Sequence, residues 1–283
     1  MDWDESNSHE EFEEYPRDPA VDAAKEALKK FFALHRDTVF YMTQLQVTFE
    51  KAVLGLTTQP IFHWITAKAV SELVDTGELN DDYQKLSQER GTRVRFIFHP
   101  RLRYTRRMIE NKLRLIRRFS DPTVGRACGH HGEILFSRAI FQEGFRHVAR
   151  NANHFQDKKW EATGHDLDFI FERDEIFYGC EIKNRFEYIT REEMRLKIRL
   201  CKFLGLRPLF ILRSAPKNYI YEIRNSGGFT KIFDWHIYPY GMENLTESIR
   251  SEFPGLPAYC VNDLPDTIMR RFVQWHSAQK SHT

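Results

Sequence analysis

Hydrophobic and polar positions in the middle of the chain follow the patterns of strands and helices in alternation. Two apolar stretches, LDFIF and IFYGCEIK, flank a short polar segment around Arg173 and Asp174, which predicts an antiparallel hairpin. Thr190 opens a capping-box pattern, an amphipathic segment follows it, and Gly205 ends that segment before the apolar stretch RPLFILR. Residues 167–213 are therefore predicted to form two strands, a helix and a third strand.

The last part of the chain shows the same mixture of patterns. The stretches NYIYEI and KIFDWHIYP predict two strands, with a turn at Gly227 and Gly228 between them. The stretches ENLTESIRSEF and DTIMRRFVQWHSAQK predict helices, the second of them near the C-terminus. We expect Tyr238 and Trp275, which lie in these stretches, to be core or interface aromatics. The predicted fold class is α/β.

In residues 20–100, short helices come before a polar hairpin. The segment AVSELV forms one apolar helix face after Thr66, which we expect to cap the helix. Gly77 suits the left-handed position that ends a helix, and the return strand of the hairpin has the sequence VRFIF. This order resembles a winged helix-turn-helix domain, a mostly helical module, which we assign to residues 19–104.

The winged-helix resemblance implies a DNA-binding surface. The recognition helix would be residues 64–75, with Lys68 and Ser71 on its outer side, and Arg93 and Arg95 would lie on the wing. Apolar periodicity alone carries the resemblance, and winged helices also serve as protein–protein modules. DNA contact and protein contact therefore both stay open for this domain.

The densest basic segment, RLRYTRRMIENKLRLIRR, has eight Arg or Lys side chains against one Glu. Its apolar residues recur at steps of three and four, which predicts a helix with one buried face. We assign residues 105–124 to this basic linker helix. Its arginines are either solvated or contact phosphates along a nucleic-acid backbone, and the two alternatives are even at this point. They are Arg106, Arg107, Arg114, Arg117 and Arg118.

The net charge of +2 hides an uneven distribution of charge along the chain. Residues 1–18 hold eight acidic side chains and one basic one, so the remaining residues carry 41 basic and 32 acidic groups. The acidic segment is predicted to be a solvated, disordered tail, or a regulatory element that competes with nucleic acid. The basic remainder of the chain suits a protein that binds a polyanion.

Size and composition limit the class of protein. The 283 residues, of which 41% are hydrophobic, are enough to bury a sizeable core. The sequence has no run of about 18 apolar residues and begins with an acidic stretch, so we expect a cytoplasmic protein without a membrane span. The cysteines lie far apart without a CxxC pair, so the sequence indicates neither a zinc site nor a disulfide framework. They are Cys128, Cys180, Cys201 and Cys260.

Charged residues interrupt the two predicted strands of the hairpin. Asp166 and Asp168 open the first strand, and Glu181 and Lys183 close the second. Because alternate residues share a face, adjacent antiparallel strands would bring these carboxylates together. Clustered carboxylates need a neutralising cation, and oxygen ligands favour Mg²⁺ or Mn²⁺. The structural alternative is a ladder of ion pairs on the surface of the hairpin.

This arrangement resembles the PD-(D/E)xK nuclease superfamily. The segment LDFIFERDEIFYGCEIK supplies Asp168, Glu181 and Lys183, and the upstream segment GHHGE supplies Glu133 on a helix, as in the resolvase-like branch. The resemblance implies a restriction-endonuclease-like fold for residues 125–283, in which helices flank a mixed central sheet. A two-residue ExK match is weak, but four elements in the right order are much stronger.

The resemblance also implies a site and a reaction. Asp168 and Glu181, with the backbone carbonyl of Ile182, would hold Mg²⁺, or Mn²⁺ as a substitute, and Glu133 would complete the shell. Asp166 is the alternative to Asp168 as the first acidic ligand. Lys183 would orient the attacking water or stabilise the transition state.

The implied function is hydrolysis of phosphodiester bonds in duplex or branched DNA, in restriction, phage defence or repair. Nucleases that cut both strands often form dimers, so a homodimer is one expected assembly. The alternative is a non-catalytic regulator that keeps the nuclease fold and binds nucleic acid.

Overall fold

The computed structural model describes residues 18–86 and 92–279. The predicted acidic tail, residues 1–18, lies outside them except for Asp18, which caps the first helix by accepting a hydrogen bond from the Ala20 amide at 2.9 Å. The first elements are α1 (Pro19–Leu34), β1 (Val39–Tyr41), α2 (Met42–Phe49), α3 (His63–Asp75), β2 (Asn80–Lys85) and β3 (Arg93–Phe98).

These first elements form three helices and a small antiparallel sheet. The strands have the order β1-β3-β2, and β3 contains the predicted return strand VRFIF. The Thr66 prediction is wrong, because α3 begins at His63 after Phe62, and the Thr66 hydroxyl donates to the Phe62 carbonyl from inside the helix. Gly77 follows the helix with a φ of 73°, which confirms its predicted left-handed conformation.

Two consecutive helices connect this N-terminal part to the rest of the chain. They are α4 (Thr105–Phe119), which is the predicted basic helix, and α5 (Pro122–Gln142). Asp121 caps α5 by accepting a hydrogen bond from the Thr123 amide at 2.7 Å, and Pro122 occupies the first turn. The end of the predicted linker, at residue 124, therefore lies inside α5.

A mixed five-stranded sheet with helices packed against it forms the centre of the C-terminal part, so the α/β class is confirmed. The sheet has the order β10-β9-β8-β7-β4, in which β8, β9 and β10 are parallel and the other pairs are antiparallel. The elements are β4 (Arg146–Ala152), β5 (His154–Phe155), β6 (Lys158–Lys159), β7 (Leu167–Arg173), β8 (Ile176–Lys183), α6 (Arg191–Leu204), β9 (Arg207–Leu212), α7 (Lys217–Asn225), β10 (Phe229–Ile232), β11 (His236–Tyr238), α8 (Glu243–Glu252), β12 (Ala258–Cys260) and α9 (Arg270–Gln279).

The predicted hairpin and the helix after it are both present. Asp174 and Glu175 connect β7 to β8 with φ values of 54° and 61°, as a tight two-residue hairpin turn requires. The Thr190 side chain accepts a hydrogen bond from the Glu193 amide at 3.2 Å at the start of α6. Gly205 ends α6 with a φ of 77°.

The segment NYIYEI is a helix, so its prediction as a strand is wrong. It lies in α7, which begins directly after Pro216 and in which Tyr219 and Ile223 are one helical turn apart and both buried. The alternation of large and polar residues fitted a strand, but a spacing of four fits the buried positions better. The stretch KIFDWHIYP divides at Asp234, which has a φ of 70°, into β10 and β11.

The N-terminal part and the C-terminal part share a hydrophobic core. One cluster joins Tyr41 of β1 and Phe96 of β3 to Ile116 of α4 and Phe253 next to α8. The buried Lys112 of α4 adds a hydrogen bond of 2.7 Å to the Glu252 carbonyl. The two parts are therefore packed together. Within the described ranges, no helix is both long and apolar enough to span a bilayer.

Candidate active site

The hairpin brings Asp168 and Glu181 to the same place on the central sheet. Phe169 of β7 pairs with Cys180 of β8. The next residues toward the open end of the hairpin, Asp168 and Glu181, therefore lie opposite each other and project to the same face of the sheet. The Ile182 amide donates a hydrogen bond of 2.7 Å to Asp168 Oδ2. Glu181 is 1% exposed and Asp168 is half-buried, so this is not a ladder of ion pairs on the surface.

Two lysines neutralise Glu181. Lys183 Nζ lies 2.5 Å from Glu181 Oε1, and Lys197 Nζ lies 2.7 Å from Glu181 Oε2. Lys183 also lies 3.0 Å from Glu193 Oε1, so it is shared between two carboxylates.

The sequence patterns did not predict that Glu193 and Lys197 lie at this site. Both project from α6, four residues apart, toward the end of β8. Lys197 falls on the buried face of α6, three residues after Met194 and four before Cys201, and it donates a hydrogen bond to the Asp166 carbonyl. A lysine on the apolar face of an amphipathic helix was the available signal, because a buried ammonium needs a partner.

The charges in the cluster change each other's pKa. Burial and then the neighbouring Glu181 raise the pKa of Asp168 to about 7, although the Ile182 amide and the lysines oppose the change. Burial alone would lower the pKa of Lys183, but Glu181 outweighs it and the pKa is raised. Lys183 is therefore a firmly charged ammonium beside a carboxyl that exchanges its proton near neutral pH.

Glu133 faces the same cleft from α5. The cleft has a volume of about 500 Å³, and Asp168, Ile182 and Lys183 also line it. Glu133 Oε2 lies 2.8 Å from Arg150 Nη2 on β4 and 3.9 Å from His130 Nδ1. The predicted residues Glu133, Asp168 and Lys183 therefore meet in one cleft. The Glu133 carboxylate is already paired with the guanidinium of Arg150.

The glycine before Glu133 allows α5 to approach the end of β8. A Cβ atom on Gly132 would lie 3.2 Å from Asn184 Cβ, which is tighter than most packed contacts. Asn184 is buried there and donates hydrogen bonds to the carbonyls of Cys128 and Ile237, at 2.9 and 2.6 Å. Small residues in GHHGE therefore set the distance between Glu133 and the strand that carries Lys183.

No protein-family model, curated protein or solved structure matches this chain.

The predicted cation ligands have different surroundings in the structure. Among the described residues, no group of three or more His, Cys, Asp or Glu side chains is placed to hold a metal ion. Glu133 faces Arg150, and Asp166 is outside the set that lines the cleft. Asp168 and Glu181 still fit a divalent cation, because they lie on adjacent strands and because burial and Glu181 both disfavour the ionised form of Asp168.

The predicted DNA-contacting residues of the N-terminal part divide into exposed and internally bonded groups. Lys68 on α3 and Arg93 on β3 are exposed. Arg95 instead donates from Nη1 to Ser71 Oγ at 2.8 Å and from Nε to Asp81 Oδ2 at 2.7 Å. Arg95 and Ser71 therefore connect α3 to the hairpin, and Lys68 and Arg93 are the better placed to contact a ligand.

The arginines of α4 also differ in their surroundings. Arg106 lies 3.1 Å from Glu110, and Arg117 donates to the carbonyls of Lys85 and Leu86 at the end of β2. All five predicted arginines are exposed, and within the described ranges Arg107, Arg114 and Arg118 form no ion pair with a carboxylate. The outer face of α4 is therefore a basic surface, as predicted.

Replacing Asp168 by asparagine should stabilise the metal-free protein at pH 8. The folded-state pKa of about 7 lies above the ordinary value of 3.8, so the wild type loses stability as pH rises from about 4 to 7. The neutral amide avoids this loss, and we expect a gain of about 2 kcal/mol in the free energy of unfolding. Urea denaturation in EDTA measures it.

The gain should shrink as the pH falls and should vanish below about pH 3, where the wild-type carboxyl is protonated in both states. The control is Asp263→Asn, since Asp263 is an exposed carboxylate that lies 2.9 Å from Arg138. We expect that control to change stability by less than about 0.5 kcal/mol. Equal stabilities of Asp168→Asn and wild type at pH 8 would contradict the prediction.

Proposed function

We propose that this chain is a divalent-cation-dependent nuclease that hydrolyses phosphodiester bonds of DNA. The observation that carries the proposal is the meeting of Asp168, Glu181 and Lys183 at the ends of two adjacent strands, next to an open cleft. A buried and a half-buried carboxylate beside a charged lysine cost free energy to desolvate, which favours a functional role.

The order of elements supports a restriction-endonuclease-like fold for the C-terminal part. Helix α5 comes first, strands β4, β7 and β8 form the antiparallel half of the sheet, and α6 crosses to the parallel strand β9. In this order the helix carries Glu133, the middle strands carry Asp168 and Glu181, and Lys183 closes β8. The resemblance requires the same order.

The order of the N-terminal elements supports a winged-helix-like module. The helices α2 and α3 follow β1, and the hairpin of β2 and β3 completes a sheet with β1 at its other edge. In this proposal α3 is the recognition helix and the hairpin is the wing. The shared core fixes the module relative to the candidate site, so DNA contact on the module would restrict where the site meets the strand.

The residues of the site have distinct proposed roles. Asp168 and Glu181, with the Ile182 carbonyl, would hold Mg²⁺ or Mn²⁺. Such an ion supplies an activated water and stabilises negative charge on the phosphoryl oxygens. The Lys183 ammonium, which already lies beside both carboxylates, is placed to donate a hydrogen bond to a phosphate oxygen or to water. Glu133 and Arg150 lie at the cleft to position the substrate.

The direct test is relaxation of supercoiled plasmid DNA with Mg²⁺ or with EDTA. Wild type should nick the plasmid with Mg²⁺ only, Asp168→Asn should be inactive, and the exposed control Asp263→Asn should act as wild type. Mn²⁺ should substitute for Mg²⁺. Nicking that persists both in EDTA and in Asp168→Asn would remove the nuclease assignment.

The second candidate is a regulator that binds nucleic acid without cutting it. The observation that favours it is the neutralisation of Glu181 by Lys183 and Lys197, which already satisfies this carboxylate without a metal. Such a protein would bind DNA through α3 and α4 equally well in Mg²⁺ and EDTA, and its plasmid would stay supercoiled. The same plasmid assay therefore separates the two candidates.

Replacing Lys68 and Arg93 together by alanine should weaken DNA binding about 10-fold at low salt. Each exposed cation contacts a phosphate in the proposed complex, so the dependence of affinity on salt should also fall, by about one counterion for each residue. Fluorescence anisotropy with a labelled duplex at several salt concentrations measures both quantities.

The control is Lys159→Ala, which removes an exposed lysine that lies 2.9 Å from Glu161 on the C-terminal part. It should leave the affinity within about twofold of wild type. If the double variant and this control bind alike, α3 and the wing do not contact DNA.

A further inference from the structure

The cleft of the candidate site continues from the carboxylates into an aromatic end. We use this name for Phe119, Phe186 and His236, with Arg185 and Glu187 beside them, all of which line the cleft. The Phe119 and Phe186 ring centroids are 6.2 Å apart, and those of Phe186 and His236 are 4.5 Å apart. The three rings of the aromatic end therefore form one continuous group. Phe186, one of them, comes three residues after Lys183 in the sequence.

Polar atoms in the wall of the aromatic end lack partners. His236 is 8% exposed, and its Nδ1 atom has no hydrogen-bond partner, nor has the buried Nε atom of Arg185. Burial and the nearby Arg213 lower the pKa of His236 to about 3, so its imidazole is neutral. Buried polar atoms without partners are rare, so these groups need water or a ligand.

The chemistry of the aromatic end fits a flat, uncharged ligand with hydrogen-bonding edges. A phosphate is a poor fit, because Glu187 lines the same space and the Nη2 atom of Arg185 already faces Glu193 Oε2 at 3.3 Å. A nucleobase is a good fit, since its face stacks on an aromatic ring and its edge offers both donors and acceptors. Phe119 is the half-buried ring that lines the opening.

We propose that the aromatic end binds one nucleobase, unstacked from the strand whose phosphate lies at Asp168 and Lys183. The inference rests on the proposed function, because the base reaches this end only if the strand passes the carboxylates. Phe119 stacks on the base, and Arg185, Glu187 and His236 are the polar residues of the wall that lie nearest its edge. The substrate is then a single strand, or a duplex from which one base leaves the stack.

The test is binding of a fluorescein-labelled single-stranded DNA oligonucleotide in EDTA, so that no cleavage is needed. A series of oligonucleotides carries a tetrahydrofuran abasic residue at each position in turn. One position should lower the affinity about 10-fold, and its neighbours should change it little. Equal affinities along the whole series would overturn the proposal, whatever the protein variants do.

Variants of Phe119 give a second readout. Phe119→Ala should bind the intact oligonucleotide about 10-fold more weakly and should no longer distinguish it from the sensitive abasic one. Phe119→Leu preserves more of the packing against Phe253 and should show the same insensitivity. If Phe119→Leu folds and still discriminates as wild type does, Phe119 does not stack on the base and the proposal fails.

A competition with free deoxynucleoside monophosphates identifies the source of the base. They should compete only weakly, because the strand supplies the remaining contacts, and displacement as efficient as that by the oligonucleotide would overturn the proposal. The outcome is separate from that of the nuclease test. If the protein nicks plasmid DNA but binds every oligonucleotide of the abasic series equally well, only this inference fails. If one abasic position weakens binding but the plasmid is not nicked, only the nuclease proposal fails.

Discussion

Lys183→Ala is expected to reduce Mg²⁺-dependent DNA cleavage by about 10²–10³-fold while the protein stays folded. Removing a positioned donor that stabilises developing charge typically has an effect of this size. The fold should persist, because the Lys183 side chain is partly exposed and Lys197 still neutralises Glu181 at 2.7 Å. Initial rates of plasmid nicking measure the activity, and urea denaturation measures the stability.

Lys197→Met should lower stability, in contrast to Lys183→Ala, which should mainly lower activity. Lys197 is 5% exposed, and its loss leaves a buried Glu181 with one neutralising partner. We expect it to destabilise the protein by about 2–3 kcal/mol. The control for loss of a lysine from α6 is Lys202→Ala, which removes an exposed side chain. Cleavage by Lys183→Ala at the wild-type rate would remove Lys183 from the mechanism.

The carboxylate pair was predictable because it depends on local geometry. Two strands joined by a tight turn have a nearly fixed register, so Asp168 and Glu181 at matching distances from Asp174 and Glu175 must lie opposite each other. The charged residues at the ends of apolar stretches therefore predicted both the position of the site and the pairing within it. The capping pattern at Thr190 predicted the helix that follows by the same kind of local rule.

The rest of the site could not be predicted, because it depends on how distant elements pack. The contact of Arg150 with Glu133 requires the register of β4 against β7 and the position of α5, which no short pattern specifies. The contact of Lys197 with Glu181 depends on the rotation of α6 over the sheet. The missed helix α7 has a different cause, since alternation and helical spacing cannot be distinguished in six residues.

The buried ion pair between Arg213 and Glu50 is another long-range contact that the sequence did not indicate, and it connects the N-terminal part to the wall of the cleft. Arg213 Nη1 and Nη2 lie 2.7 and 2.5 Å from the Glu50 carboxylate, and His63 Nε2 lies 2.6 Å from it. Arg213 also donates to the carbonyls of Arg185 and Phe186, which flank the cleft. One guanidinium therefore holds the loop after Lys183 to Glu50 at the end of α2 and, through Glu50, to His63 at the start of α3.

Arg213→Met is therefore expected to destabilise the protein by about 3–5 kcal/mol, because the Glu50 carboxylate stays buried without its main partner. Burial would raise the pKa of Glu50, but hydrogen bonds from His63 and Arg213 outweigh it and hold the pKa below its ordinary value. Glu50 thus contributes stability above its unfolded-state pKa, and this contribution is lost as pH falls through the folded-state pKa. Urea denaturation at pH 7 and at about pH 4 measures both effects.

The double variant Glu50→Gln/Arg213→Met distinguishes an uncompensated charge from a packing defect. Removing both charges should restore much of the stability lost in Arg213→Met, and the coupling free energy between the two sites should be about 2 kcal/mol or more. If the double variant is as unstable as the sum of the single variants, packing and the carbonyl contacts of Arg213 account for the loss. Because those carbonyls flank the cleft, a stable double variant should still cut DNA more slowly than wild type, which would separate the role of Arg213 in shaping the cleft from its role in stability.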